Sequence, residues 1–99
     1  MFVHCVYFWL KPGLTDAEEE AFYKGVSALT SLDSVRHGWV GKPATTDRPV
    51  IDTTYSYGLV VAFDDLSGHD AYQIDPVHDH FRETCAQYWS QVKIYDFES

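Results

Sequence analysis

A phenol, a helix start and an imidazole fall within one short segment, Tyr72-Gln73-Ile74-Asp75-Pro76-Val77-His78-Asp79-His80-Phe81. Asp75 is a residue type that caps a helix by accepting a hydrogen bond from an early amide. Pro76 suits the first helical position, where its missing N–H leaves nothing unsatisfied. Together they predict a helix starting at Pro76. His78 then lies in the first turn, where the positive end of the helix dipole disfavours the imidazolium. A neutral imidazole near a phenol hydroxyl is the equipment of a general base and its partner. The competing reading makes His78 a helix-start residue and Tyr72 part of the core.

The His78-x-His80 pair invites a metal reading. Residues two apart on a helix point in different directions, so they do not share an ion, and a nearby Asp79 or His69 does not repair that geometry. No metal site and no organic cofactor are expected. His69 and His80 read as exposed. His37, in phase with Trp39, belongs either to the same chamber as His78 or to the surface. The Glu18-Glu19-Glu20 run reads as a solvated helix face.

These residues need a scaffold. Phe2 to Leu10 is aromatic and β-branched and stops at Lys11-Pro12-Gly13, which predicts a strand. Thr15 with Glu18 forms a capping box for a helix over Asp16 to Thr30, with Phe22, Val26 and Leu29 on one face. A second strand is predicted over Ser34 to Gly41 and a loop over Lys42 to Thr53. A third strand, Tyr55 to Phe63, is followed by a short helix capped by Ser67. The helix from Pro76 runs to about Trp89, and Gln91 to Phe97 forms the fourth strand. The order β-α-β-β-α-β, with the second helix broken at Asp75-Pro76, is the ferredoxin-like α+β arrangement with a four-stranded antiparallel sheet. One domain over residues 1–99 is expected from the length.

Strand parity adds a partner. Phe2, His4, Val6, Phe8 and Leu10 share one face of the first strand, and Val3, Cys5, Tyr7 and Trp9 share the other. Both faces are apolar, so both need cover, and two helices cover one. A second copy of the chain is the economical cover for the face with Val3, Cys5, Tyr7 and Trp9, giving a homodimeric α/β barrel. Gly38, Val40, Val60 and Ala62 are assigned to that same face. On the helix side, His4, Val6, Phe8, Tyr57, Leu59, Val61, Val92 and Ile94 meet Phe22, Val26, Leu29 and Phe81. The result is an apolar chamber with His4, Tyr57, Tyr72 and His78 as its polar groups, the make-up of a small-molecule site.

Composition narrows the partners. The net charge of −8 disfavours nucleic acid and anionic membranes. No apolar run reaches the roughly 20 residues of a membrane span, and the apolar start lacks a basic signal region. Cys5 and Cys85 read as unpaired thiols in a reducing compartment, which points to the cytoplasm.

The ordered set Val3-His4-Cys5-Val6, Phe8-Trp9-Leu10-Lys11, Gly41, Phe63-Asp64-Asp65, Tyr72, Pro76-x-His78, Phe81 and Ile94-Tyr95-Asp96-Phe97 resembles the stress-responsive A/B barrel (Dabb) family across the chain. The resemblance implies a ferredoxin-like homodimer. One branch of the family closes linear polyketides by intramolecular aldol condensation. Its proposed tyrosine–histidine pair aligns with Tyr72 and His78, and a pocket histidine aligns with His4. This chain departs from that branch at Tyr57, where the branch has histidine, and at Val26, where it has tyrosine. The implied activity is cofactor-independent acid–base chemistry with His78 as base and Tyr72 as its partner. The ligand is apolar or aromatic and polyketide-like, bound among His4, Val6, Phe8, Phe22, Val26, Tyr57, Leu59, Val61, Phe81 and Ile94. Two alternatives stand beside it: a non-catalytic stress or assembly protein, and a cofactor-free monooxygenase-like barrel.

Overall fold

Residues Phe2–Leu10 form strand β1, whose alternation of buried and half-buried positions shows one face against helices and the other against nothing in the chain. The computed structural model describes Met1 to Ser99 throughout. Helix α1 (Asp16–Ala28) begins at the expected capping box. Glu18 N–H donates to Thr15 Oγ1 at 3.1 Å and Thr15 N–H donates to Glu18 Oε1 at 3.0 Å, satisfying two amides that the first turn leaves free. A 3-10 turn, Leu29–Ser31, tightens its end.

Strand β2 (His37–Gly41) and strand β3 (Tyr57–Phe63) follow, then helix α2 (Leu66–Gln73), helix α3 (Pro76–Cys85), a 3-10 turn (Ala86–Tyr88) and strand β4 (Trp89–Glu98). The sheet is antiparallel in the order β2-β3-β1-β4, the ferredoxin-like arrangement. β2 is shorter than the sequence suggests, because its pairing with β3 starts only at His37. Asp65 rather than Ser67 caps α2, its carboxylate accepting from Gly68 N–H at 3.2 Å. Asp75 caps α3 as expected, accepting from Val77 N–H at 2.8 Å.

The register corrects one assignment. Gly38 and Val40 pair with Val61 and Leu59 and share their helix-side face, whereas His37 and Trp39 share the opposite face with Ala62 and Val60. The reason is steric. A Cβ at Gly38 would lie 2.8 Å from Thr30 Cβ, so the strand passes beneath the Leu29–Ser31 turn only with glycine inward. His37 therefore lies outside the helix-side chamber, stacked on Trp39 at 6.0 Å.

The core between helices and sheet is closed by Phe22, Val26, Leu29, Leu59, Val61, Phe63 and Tyr72, all essentially inaccessible. Aromatic edges set much of the packing, with Phe8 against Phe22 at 5.1 Å and against Trp89 at 5.2 Å. The opposite face keeps Trp39, Tyr95 and Phe97 more than half exposed. No helix is long and apolar enough to cross a membrane.

α1 and α3 approach closely at Gly25, where a Cβ would sit 2.7 Å from Cys85 Sγ and 3.3 Å from Phe81 Cδ1. Gly25→Ala gains helix propensity but overpacks this contact, so a net loss of about 1–2 kcal/mol is expected in denaturant unfolding. Adding Cys85→Ala removes the clashing sulfur and should make the pair less destabilised than the two single losses added. Strict additivity would show that the contact is not what excludes a side chain at position 25.

Candidate functional site

β4 is an edge strand that the helices do not reach across. Val92 and Ile94 face the same side as their partners Phe8 and Val6, yet remain 39% and 53% exposed. The space they leave is a cavity of about 270 Å³, open on one side and walled mostly by apolar side chains. His4, Val6 and Phe8 of β1, Leu59 of β3 and Val92 and Ile94 of β4 form its sheet wall. Tyr72, Gln73, His78, Phe81 and Arg82 form the helix wall, with Leu29 and Trp89 at the ends.

The broken helix brings Tyr72 and His78 together. Tyr72 is in the last turn of α2 and His78 in the first turn of α3, and their rings meet edge to face at 4.9 Å. His78 Nδ1 is buried and has no hydrogen-bond partner. Burial lowers the His78 pKa from its ordinary 6.5, and the neighbouring Arg82 guanidinium lowers it further. The imidazole is therefore neutral at pH 7 and able to accept a proton.

Tyr72 is almost wholly inaccessible, and burial alone pushes its phenol well above the ordinary value. It stays protonated, a donor at any physiological pH. No hydrogen bond joins the Tyr72 hydroxyl to His78, so the phenol does not hold the imidazole in place.

His4 lies beside this pair, its ring 5.7 Å from that of Tyr72. Its Nδ1 is 2.5 Å from Asp96 Oδ1 across the β1–β4 pairing. Burial lowers the His4 pKa, and the Asp96 hydrogen bond and charge offset part of that shift.

Eight of the residues expected at the site border the cavity: His4, Val6, Phe8, Leu59, Tyr72, His78, Phe81 and Ile94. Four do not. Phe22, Val26 and Val61 are packed solid in the core. Tyr57 stacks on Phe22 at 5.5 Å and donates to Glu19 Oε1 at 2.9 Å. Burial and that carboxylate raise its pKa to about 12. It belongs to the far end of the layer.

Gln73, Arg82 and Trp89 also border the cavity, and sequence reasoning passed over them. Gln73 and Trp89 sit at element boundaries, and Arg82 reads as an ordinary surface charge. His69 is a correction. It is not exposed but stacks on Phe2 at 4.5 Å and lies 5.1 Å from the His4 ring, because α2 starts at Leu66 and turns it inward.

With the geometry in view, comparison with known proteins identifies relatives. The model of the Stress Responsive A/B Barrel Domain matches residues 2–99. The chain is 23% identical to olivetolic acid cyclase of Cannabis sativa over 95 residues, covering 95% of this chain and 92% of the cyclase. Among solved structures it resembles a dimeric ferredoxin-like protein of unknown function from Thermobifida fusca. That match has a TM-score of 0.79 and 19% identity, over 99% of this chain and 90% of the other. It also resembles the hydroxynitrile lyase of Passiflora edulis, with a TM-score of 0.78 and 13% identity over 97% and 90% of the two chains. At these identities the structural matches establish the fold alone.

Proposed function

The chain belongs to the stress-responsive A/B barrel (Dabb) family, and from that premise we propose that it binds a small apolar or aromatic, polyketide-like molecule at the Tyr72–His78 cavity and acts on it by aldol-type acid–base chemistry. The observation that carries this reading is His78 Nδ1, a buried imidazole nitrogen without a partner on the wall of an apolar cavity. Leaving such a group unsatisfied costs about 1–3 kcal/mol, a cost that a bound ligand relieves. The likeness to olivetolic acid cyclase points the same way.

In this mechanism His78 removes a proton from carbon next to a carbonyl. The C–H electron pair moves into the carbonyl, forming an enolate whose oxygen accepts a hydrogen bond from the Tyr72 hydroxyl. The enolate carbon then attacks a second carbonyl of the same chain, closing a ring. The imidazolium returns its proton to the resulting alkoxide, restoring neutral His78. The apolar walls strengthen both contacts by excluding water.

The active form is a homodimer through the face with Val3, Cys5, Tyr7 and Trp9, continued by the exposed Tyr95 and Phe97. The dimeric Thermobifida protein supports that arrangement. The two free thiols suit the cytoplasm.

Three outcomes check this reading. His78→Ala should lower ring closure of linear polyketide substrates by about 10²–10⁴-fold, and Tyr72→Phe by about 10²–10³-fold, with the oligomer intact. Full activity in His78→Ala removes it from the role.

The base must be neutral, and its folded pKa lies below 6.5. Turnover should thus be flat at pH 7 and above and fall as the pH drops through a midpoint under 6.5. Arg82→Gln, by removing a repelling charge, should shift that midpoint upward, and an unmoved midpoint would separate the profile from His78.

Tyr95→Glu places a charge on the exposed face. It should yield a folded monomer by light scattering, whereas a persisting dimer puts the interface elsewhere.

A further inference from the structure

The proposed chemistry leaves His69 and Asp96 without a part, although the fold gathers both around His4. We propose that His4, His69 and Asp96 form a binding site for a divalent transition metal ion of the zinc type. Their ligand atoms all lie within 4.8 Å of one another. They come from three elements: His4 from β1, Asp96 directly opposite it on β4, and His69 from the start of α2. Nothing close in sequence joins them, and only the folded chain brings them together.

The donor set selects the ion. Two imidazole nitrogens and one carboxylate oxygen suit Zn²⁺ or Co²⁺, whereas Ca²⁺ and Mg²⁺ take mainly oxygen ligands and keep more of them. Three protein ligands leave the fourth position of a tetrahedral ion for water or a ligand oxygen. The cluster adds one formal negative charge in a chain whose net charge is −8, so the surrounding field favours a cation.

The proton between His4 Nδ1 and Asp96 Oδ1 holds the place that the ion would take, and the 2.5 Å contact must open to admit it. Bonds of about 2.0 Å at a tetrahedral angle place ligand atoms roughly 3.3 Å apart, so the 2.5 Å pair opens by about 0.8 Å and the widest pair, within 4.8 Å, closes by at most about 1.5 Å.

His69 is already oriented. Its ring is stacked on Phe2 at 4.5 Å and meets the edge of Phe63 at 5.9 Å, and its side chain is only 14% exposed. Asp70 Oδ1 lies 3.3 Å from its Nδ1, and the Gln73 side-chain amide lies 3.1 Å from its Nε2. One of these yields to the metal. The other serves as the orienting partner that metal-bound imidazoles keep. His4 also borders the Tyr72–His78 cavity, so the ion would stand at one end of it.

The test uses the whole protein with Co²⁺ as a spectroscopic probe and Zn²⁺ as competitor, and needs no turnover, so its result is independent of the cyclase reading. One Co²⁺ per chain should bind with the intense visible absorption of a four-coordinate ion, and Zn²⁺ should bleach it. His69→Ala and Asp96→Asn alter side chains at the edge of the core, and circular dichroism verifies that each folds. Each should weaken Co²⁺ binding by more than about 100-fold, beyond the 10–100-fold that loss of a merely orienting partner costs. His80→Ala, on the exposed side of α3, should leave binding unchanged. The proposal is overturned by absence of the absorption, by a smaller loss in His69→Ala or Asp96→Asn, or by a signal that disappears with His80→Ala instead.

Discussion

The apolar character of both faces of β1 is the constraint on which the rest of the structure rests. A strand of that kind must lie inside a sheet and be covered twice, and β1 accordingly pairs with β3 on one side and β4 on the other. The helices cover β3 and most of β1 but fall short of β4. On the helix side that shortfall leaves the cavity beside Val92 and Ile94, while the opposite face, which no helix covers, keeps Trp39, Tyr95 and Phe97 exposed.

Electrostatics at the cavity run against the character of the chain. A protein of net charge −8 would ordinarily raise the pKa of a histidine, because surrounding negative charge favours the imidazolium. At His78 burial reverses this, and the only close cation, Arg82, adds to the reversal. Tyr72 is driven the other way, toward its neutral acid. An imidazole kept free of protons beside a phenol kept from losing its own is the division that the proposed proton transfer between carbon and oxygen would draw on. Both shifts come from the same apolar enclosure, so no dedicated charge network is needed.

Much of this was legible in the sequence because it rests on local chemistry. The Thr15–Glu18 box, the Asp75-Pro76 break and the alternation in β1 each follow from neighbouring residues, and each stands in the structure. What misled was whatever depends on register. β2 carries His37 and Trp39 on one face and Gly38 and Val40 on the other, so hydrophobicity does not mark the inner one, and its phase is set by Gly38 beneath Thr30, a contact visible only in three dimensions. Asp96 reads as part of an edge strand and acquires meaning only by facing His4. His69 is two residues past a plausible but wrong cap at Ser67, and the shift to Asp65 turns it from solvent toward Phe2.

The far end of the chamber bears on what the cavity can accept. The departures from the polyketide-closing branch that the resemblance implies fall at Val26 and Tyr57. In this fold Val26 is sealed in the core, and Tyr57 is wedged against Phe22 with its hydroxyl held by Glu19. The space at that end is filled, and what remains is about 270 Å³ between α3 and β4. Pockets for drug-sized ligands begin near 300 Å³. A cavity of this volume is the size of a single ring, and it does not extend toward α1, where Phe22, Val26 and Tyr57 are packed. The stacking of Phe22 on Tyr57 that closes the core also ends the cavity on that side. Lengthening the cavity in that direction would therefore cost stability.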